Sequence, residues 1–193
     1  MKHAILLTVV ITVTQLSFAR PAVANNPRLK NDGDSILAKI PDPRQMLQDI
    51  IEVTGLHADF ELKQADVLNI QASISHRKRE ILYNPEYVTW LNKLTRDKWS
   101  VLALIAHEVG HHLNGHTIRK GGSSPQVELE ADEFAGFILY KLGATLEEAQ
   151  KVMNYIAGIN ASDTHPGRMA RKQAIQTGWD KAAGAGSLAK ASH

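Results

Sequence analysis

The sequence contains no cysteine. This absence excludes thiolate metal sites, a cysteine nucleophile and a disulfide framework, whatever compartment the protein occupies. Any metal ion bound by the chain must therefore be held by histidine nitrogens and carboxylate oxygens. The chain has 9 His and 20 Asp plus Glu from which such a site can be built.

The chain also lacks a large excess of charge of either sign. It has 22 Lys plus Arg against 20 Asp plus Glu, and the surplus cations are Lys2 and Arg20, both within the first 24 residues. Binding to nucleic acid or to an anionic membrane surface depends on neutralising phosphates with basic side chains. The balance of charge after residue 24 therefore argues against a nucleic-acid partner.

Long hydrophobic runs are scarce, and the one at the N-terminus has the organisation of a secretory signal peptide. Met1-Lys2-His3 is basic, Ala4 to Ala19 carries no charge, and Ala22-Val23-Ala24 is a small-x-small cleavage signal. The rival interpretation is a retained membrane anchor, but a spanning helix needs about 20 apolar residues, and this run is shorter and interrupted by threonines. We predict a signal peptide over residues 1–24 and an exported protein, periplasmic or secreted, with no stable membrane span after cleavage.

The rest of the chain has the length and composition of one globular domain. At 193 residues, with 44% hydrophobic and 22% charged residues, it fits one domain of about 100 to 200 residues. Two strand-like stretches, Val67 to Ser75 and Glu80 to Tyr83, flank a charged turn at residues 76–79, and the other periodic stretches are helical. We therefore expect an α+β fold, mostly helical, with a small antiparallel sheet. Helices are predicted over residues 42–55, 85–94, 99–113, 125–142, 145–157 and 165–178.

The two ends of this domain are expected to be mobile. Residues 25–41 begin with a polar, turn-rich stretch, and residues 179–193 form an Ala/Gly/Ser/Lys tail without periodicity. The predicted organisation is therefore a signal peptide, a mobile segment over 25–41, a domain over 42–178 and a disordered tail over 179–193.

The helix over residues 99–113 carries the motif His107-Glu108-Val109-Gly110-His111. Residues four apart lie on one helix face, so both imidazoles can reach one metal ion while Glu108 addresses a water bound to that ion. Such motifs also arise by chance, in helices whose histidines face solvent or pack on the core. Here the preceding residues, Val101 to Ala106, are all apolar and predict a buried helix, whose buried polar groups need partners. The context therefore favours a metal site.

A catalytic zinc ion takes three protein ligands and leaves a position open for water. The longer motif HExxHxxGxxH requires glycine at 114 and histidine at 117, and the chain has Asn114 and Thr117 instead. His116 is one residue out of register, and we interpret it as a polar residue at the helix end that interacts with the helix dipole.

The third ligand is then expected from the following helix, where Glu128-Leu129-Glu130-Ala131-Asp132 offers candidates. Glu128 and Asp132 share the helix stripe beside the predicted core face, whereas Glu130 points further round toward solvent. Glu128 is therefore the predicted third metal ligand. Asp132, one turn on, is predicted to orient a ligand imidazole.

The two motifs together resemble the gluzincin peptidases of the HtpX and CAAX prenyl protease family, in which HExxH is followed by ExxAD. Two further segments are similar to that family: Thr164-His165-Pro166 followed by arginines, and Asn69-Ile70-Gln71-Ala72 ahead of the zinc helix. The resemblance covers roughly residues 42–178 and implies a zincin-like fold with the sheet beside the HExxH helix. It departs from the integral-membrane members of the family in having no transmembrane helices.

The resemblance implies one Zn²⁺ per chain, held by His107, His111 and Glu128, and hydrolysis of peptide bonds with Glu108 as the general base. His165 and Arg171 are implied as catalytic residues that stabilise the oxyanion. From the residues alone, His-Pro is also an ordinary helix start and Arg171 can simply pair with a carboxylate, and His165 can also be a latch on the open coordination position.

The predicted partner is a protein or peptide substrate, added as an extended strand to the edge of the sheet. Two other functions stay open: a zinc-bearing chaperone or binding module with little proteolytic activity, and a structural domain held together by zinc.

Overall fold

The computed structural model describes residues 42–57, 59–118, 123–163 and 165–190. The predicted signal peptide and the segment 25–41 lie outside the described residues. The structure is 61% helical with a small three-stranded sheet, which confirms the predicted α+β fold class. None of the helices in the described ranges is long and apolar enough to cross a membrane.

The elements follow one another in an order that places the sheet between the first two helices. Helix α1 spans Pro43–Thr54 and is followed by strands β1 (Phe60–Gln64), β2 (Ile70–Ser75) and β3 (Lys78–Tyr83). The helices after the sheet are α2 (Pro85–Thr95), α3 (Trp99–Leu113), a 3₁₀ turn (His116–Ile118), α4 (Pro125–Lys141), α5 (Leu146–Gln150), α6 (Met153–Ile156) and α7 (Arg168–Lys190).

Most helix starts are set by the local capping signals. Asp42 accepts a hydrogen bond from the backbone N–H of Arg44 with Pro43 at the first helical position, and Ser124 accepts one from Val127. Thr145 and Glu148 form a complete capping box at the start of α5. The helix predicted to continue from there to residue 157 is divided by a turn at residues 151–152 into α5 and α6.

The sheet has the order β1-β3-β2, with β2 antiparallel and β1 parallel to the central strand β3. The antiparallel prediction is therefore right for the β2–β3 hairpin, and the complete sheet is mixed. The hairpin turn is shorter than predicted, because only His76 and Arg77 have positive φ (50° and 65°) and strand pairing resumes at Lys78. Lys63 of β1 contacts Glu80 of β3 at 2.5 Å, an ion pair that accompanies the parallel pairing.

Helix α3 is the central element of the core, as its apolar sequence predicts. Its side chains are buried from Trp99 to His112, and it packs against α1, α2, α4 and β2. The last of these contacts puts an edge strand of the sheet against the helix that carries the HExxH motif. The buried apolar side chains around α3 include Met46, Ile50, Ile70, Ile81, Leu91, Ile138 and Ile175.

Helices α4 and α7 pack closely through glycines, and this corrects the predicted end of the domain. A Cβ on Gly178 would lie 1.8 Å from the carbonyl oxygen of Glu133, and one on Gly136 would lie 2.0 Å from that of Ile175. Gly178 therefore allows the helices to approach each other and does not end α7, which runs on to Lys190. The prediction of a disordered tail from residue 179 is wrong over residues 179–190, whose alanines favour helix. Helix α7 also begins later than predicted, at Arg168.

Candidate metal centre

Three buried side chains from α3 and α4 converge on one point. The Nε2 atoms of His107 and His111 are 3.0 Å apart. The carboxylate of Glu128 lies 3.4 Å from His107 Nε2 through Oε2 and 3.6 Å from His111 Nε2 through Oε1. The ligand-type atoms of all three residues lie within 4.8 Å of one another. The structure thus brings together the three residues that the sequence predicted as metal ligands.

A glycine inside the HExxH motif makes this convergence possible. A Cβ on Gly110 would lie 3.2 Å from the backbone of Ala131 and 3.1 Å from the ring of Phe134. Helix α4 therefore lies directly on α3 at this point. Glu128 stands one turn before Ala131 on α4, and the close approach carries its carboxylate to the two histidines.

His107 is oriented by the residue that the sequence predicted for this purpose. Its Nδ1–H donates to Asp132 Oδ1 at 2.8 Å, and the ring is buried. With one proton fixed at Nδ1, the nitrogen that would bind a metal ion once the ring is neutral is Nε2, on the side of His111 and Glu128.

Arg171 lies behind this pair and is almost completely buried. Its Nε and Nη2 groups both donate to the carboxylate of Asp132, each at 2.7 Å. Burial opposes ionisation of Asp132, but Arg171 and then His107 outweigh it and hold the pKa of this carboxyl below its ordinary value. Of the two roles that the sequence left open for Arg171, the geometry favours pairing with a carboxylate over contact with a reacting group.

His111 is contacted on its other side by His116, which the sequence predicted to lie at the helix end without a part in the site. The Nδ1 atoms of the two rings are 3.0 Å apart, and His116 Nε2 lies 2.9 Å from Glu130 Oε2. His116 is therefore buried beside a predicted ligand, and its expected place at the helix end facing the dipole is wrong. Glu130 is likewise engaged through His116, and its side chain is 38% exposed.

Negative charge and electron pairs concentrate at the point where the three side chains meet. Glu128 Oε1 accepts a hydrogen bond from Ser123 at 2.5 Å, whereas Glu128 Oε2 is buried and has no hydrogen-bond partner within the described residues. Burial lowers the pKa of His111 to about 3, so this ring is neutral. Burial also opposes protonation of His107, but Asp132 and Glu128 outweigh it and raise its pKa to about 10. The same excess of negative charge would favour a divalent cation.

Glu108 stands beside this cluster without belonging to it. Its Oε2 accepts a hydrogen bond of 2.7 Å from the backbone N–H of Ala72 on the edge strand β2. The carboxyl group is buried, and burial raises its pKa to about 8. His112 helps to hold the sheet in this position, because its Nε2–H donates to the carbonyl oxygen of Glu80 at 2.9 Å. No sequence motif shows such a contact to Glu108, since the donor belongs to the main chain.

His165 lies in the turn that leads into α7. Its backbone N–H donates to Ser162 Oγ at 3.1 Å, and Arg168 fixes the turn through two bonds to the carbonyl oxygen of Ala157. The ring is partly buried, and its Nδ1 atom is buried without a hydrogen-bond partner among the described residues. Burial lowers the pKa of His165, against an opposing effect of Glu128, so the ring is neutral.

The donor set is chemically suited to zinc in a catalytic site. Two imidazole nitrogens and one carboxylate oxygen, with no thiolate, are one of the ligand sets that hold zinc while leaving a position open. Glu128 Oε2, buried without a hydrogen-bond partner among the described residues, is the kind of atom that a cation would satisfy. Comparisons of the chain with family models, with curated proteins and with solved structures find no match. The geometry of this site is therefore the basis for a function.

Proposed function

We propose that this chain is a zinc-dependent endopeptidase that hydrolyses peptide bonds in exported or unfolded proteins. The observation that carries the proposal is the position of Glu108, a buried carboxylate next to the His107, His111 and Glu128 cluster but bonded to the main chain of an edge strand. A site with a purely structural ion has no need of an acid–base group in this place.

These contacts suggest which residues would bind the metal ion and which one would transfer the proton. His107, His111 and Glu128 would hold the ion, which when bound supplies an acidified water and polarises the scissile carbonyl. Glu108 accepts the proton of the attacking water and returns it to the leaving amine. Burial raises the pKa of this carboxyl to about 8 in the metal-free protein, and the positive charge of a bound ion would lower it again and leave Glu108 ionised to accept a proton.

The substrate class is argued from the edge strand. Among the described residues, strand β2 pairs with β3 on one side only, and the Ala72 N–H on its other side points to Glu108. Residues 70–73 are buried and the Ala72 N–H is bonded to Glu108, so an extended peptide would have to displace these contacts to pair with this edge, and it would then run past Glu108 and the cluster. Main-chain recognition suits unfolded segments of many sequences.

His165 is proposed to stabilise the oxyanion of the tetrahedral intermediate. The buried, unpartnered Nδ1 and the tightly held turn support a fixed position for the ring, and preorganised donors act best when they do not have to move. Its rival role, a latch that occupies the open coordination position, gives the opposite effect on activity when the ring is removed.

Export is proposed from the sequence of the first 24 residues. Protein isolated from the native host should begin at Asn25, which mass spectrometry of the intact chain will show. Protein that still begins at Met1 and fractionates with membranes would contradict both export and cleavage.

The central test separates metal binding from catalysis. The purified chain should cleave an unfolded protein substrate, and a chelator should stop the cleavage. The Glu108→Gln variant should keep one zinc per chain and the wild-type melting temperature while losing several orders of magnitude in rate, because only the proton acceptor is removed. Glu147→Gln, on an exposed part of α5, is the matched control. If zinc is lost with the activity in Glu108→Gln, Glu108 is a ligand and the proposed division of labour fails.

A further inference from the structure

We infer that His116 and Glu130 act as positioning residues that fix the proton of His111 on Nδ1 and so hold its Nε2 lone pair ready for the metal ion. The inference rests on the proposed metal site. It adds a second support, different from the one at His107, which the fixed positions of the HExxH and ExxAD motifs do not supply.

The two contacts of His116 indicate which nitrogen atom carries the hydrogen in each hydrogen bond. An ionised carboxylate only accepts hydrogen bonds, so His116 Nε2, at 2.9 Å from Glu130 Oε2, must carry a hydrogen. A neutral His116 then has its lone pair on Nδ1, which lies 3.0 Å from His111 Nδ1. The hydrogen between these two atoms therefore belongs to His111. The Nε2 lone pair of His111 is left on the side of His107 and Glu128.

His116 cannot itself complete the ligand set in this arrangement. Both of its ring nitrogens are engaged, one with His111 and the other with Glu130. Its ring meets that of His111 edge-on, with the centroids 5.2 Å apart and the planes at 69°. His116 therefore contacts His111 at Nδ1, on the opposite side of the ring from the Nε2 atom that would bind the ion.

The two ligand histidines are thus supported in unlike ways. His107 bonds directly to the buried Asp132, whose charge is balanced by Arg171. His111 bonds to the imidazole of His116, and the Glu130 carboxylate that His116 contacts in turn is partly exposed and also accepts from Gln126 at 3.1 Å. Partners of this kind commonly contribute 10- to 100-fold to metal affinity. We therefore expect His116 and Glu130 to be needed for tight zinc binding, although neither is one of the three proposed ligands.

The test measures tautomer and zinc affinity in the full chain, and peptidase activity does not enter the readout. In metal-free protein labelled with ¹⁵N-histidine, NMR should find the hydrogen of His111 on Nδ1. The His116→Phe variant keeps a buried ring without hydrogen-bonding atoms, and we expect a shifted tautomer and zinc affinity about 10- to 100-fold weaker in competition with a chromophoric chelator. The His116→Gln variant, which can both accept and donate, should recover much of the affinity.

Glu130→Ala removes the carboxylate that lies furthest from the metal site in this series of hydrogen bonds. Because Glu130 is partly exposed, the variant should still fold. It should weaken zinc binding about tenfold, whereas the control Glu133→Gln, on the same helix with the same 38% side-chain exposure and a Lys181 partner, should not. Wild-type affinity and tautomer in His116→Phe, or equal effects of Glu130→Ala and Glu133→Gln, would overturn the inference. A chain that binds zinc through this arrangement without cleaving peptides would refute the proposed function and still support the inference.

Discussion

The close packing of α4 and α7 predicts a large difference between two glycines of the same helix. Gly178 faces α4, and a Cβ there would lie 1.8 Å from the carbonyl oxygen of Glu133, whereas a Cβ on Gly184 would have nothing within 4 Å. Real Cβ atoms essentially never come closer than 3.0 Å, so Gly178→Ala requires the helices to separate locally by about 1.2 Å. Gly184→Ala requires no movement.

The magnitudes follow from these distances. Forcing extra volume into a packed contact costs about 1 to 3 kcal/mol, and alanine regains about 0.5 to 1 kcal/mol through its helix propensity. We expect Gly178→Ala to lower the free energy of unfolding by about 1 to 2 kcal/mol and the melting temperature by roughly 3 to 8 °C. Gly184→Ala should raise the melting temperature by about 1 to 4 °C.

The assay is thermal unfolding followed by circular dichroism, together with zinc affinity. Arg171, Ile175 and Gly178 lie on one face of α7, so a displaced helix also withdraws Arg171 from Asp132. Gly178→Ala should therefore weaken zinc binding as well as stability, and Gly184→Ala should leave zinc binding unchanged. Equal melting temperatures for the two variants would show that α7 does not approach α4 as described.

Three further predictions concern the metal centre. Glu128→Ala should abolish tight zinc binding and remove the rise in melting temperature that zinc produces, as calorimetry with and without zinc will show. His165→Ala should lower the turnover number by roughly a hundredfold to a thousandfold if the ring stabilises the oxyanion, and a higher rate would identify it as a latch. In metal-free protein, the pKa values of Glu108 (raised to about 8) and His107 (raised to about 10) mean that the folded state binds more protons than the unfolded chain above neutral pH. Its melting temperature should thus fall from pH 7 to pH 9, and saturating zinc, which replaces these protons, should abolish the fall.

Local signals in the sequence predicted the centre of the structure well. The bounds of α3, Trp99–Leu113, agree to the residue, because an apolar run ends there at a polar turn with glycine. The placement of Glu128 and Asp132 beside the histidines was also predictable, since the period of α4 puts both on one stripe.

The remaining features depend on contacts between distant parts of the chain. Glycine both ends helices and permits close packing, and nothing in the sequence around Gly178 distinguishes the two roles. His116, five residues after His111, would point away on a regular helix, but Gly115 adopts a positive φ of 72° and turns the chain back. The parallel pairing of β1 with β3 joins residues separated by the whole of β2, which strand periodicity alone does not reveal.

The proposed ligand residues belong to two helices, so a bound ion would link these helices to each other. His107 and His111 lie on α3 and Glu128 on α4, so an ion held by all three would close the stretch from residue 111 to residue 128 into a loop. A chain without cysteine has no covalent cross-link of this kind, and the ion would serve as a reversible one that forms only once the two helices have met. Under the proposed export, the chain would pass through the membrane before it acquires this cross-link. The concentration of available metal ion in the compartment where the protein acts would then determine two things. These are how firmly α3 and α4 are held together and what fraction of the protein has a complete site.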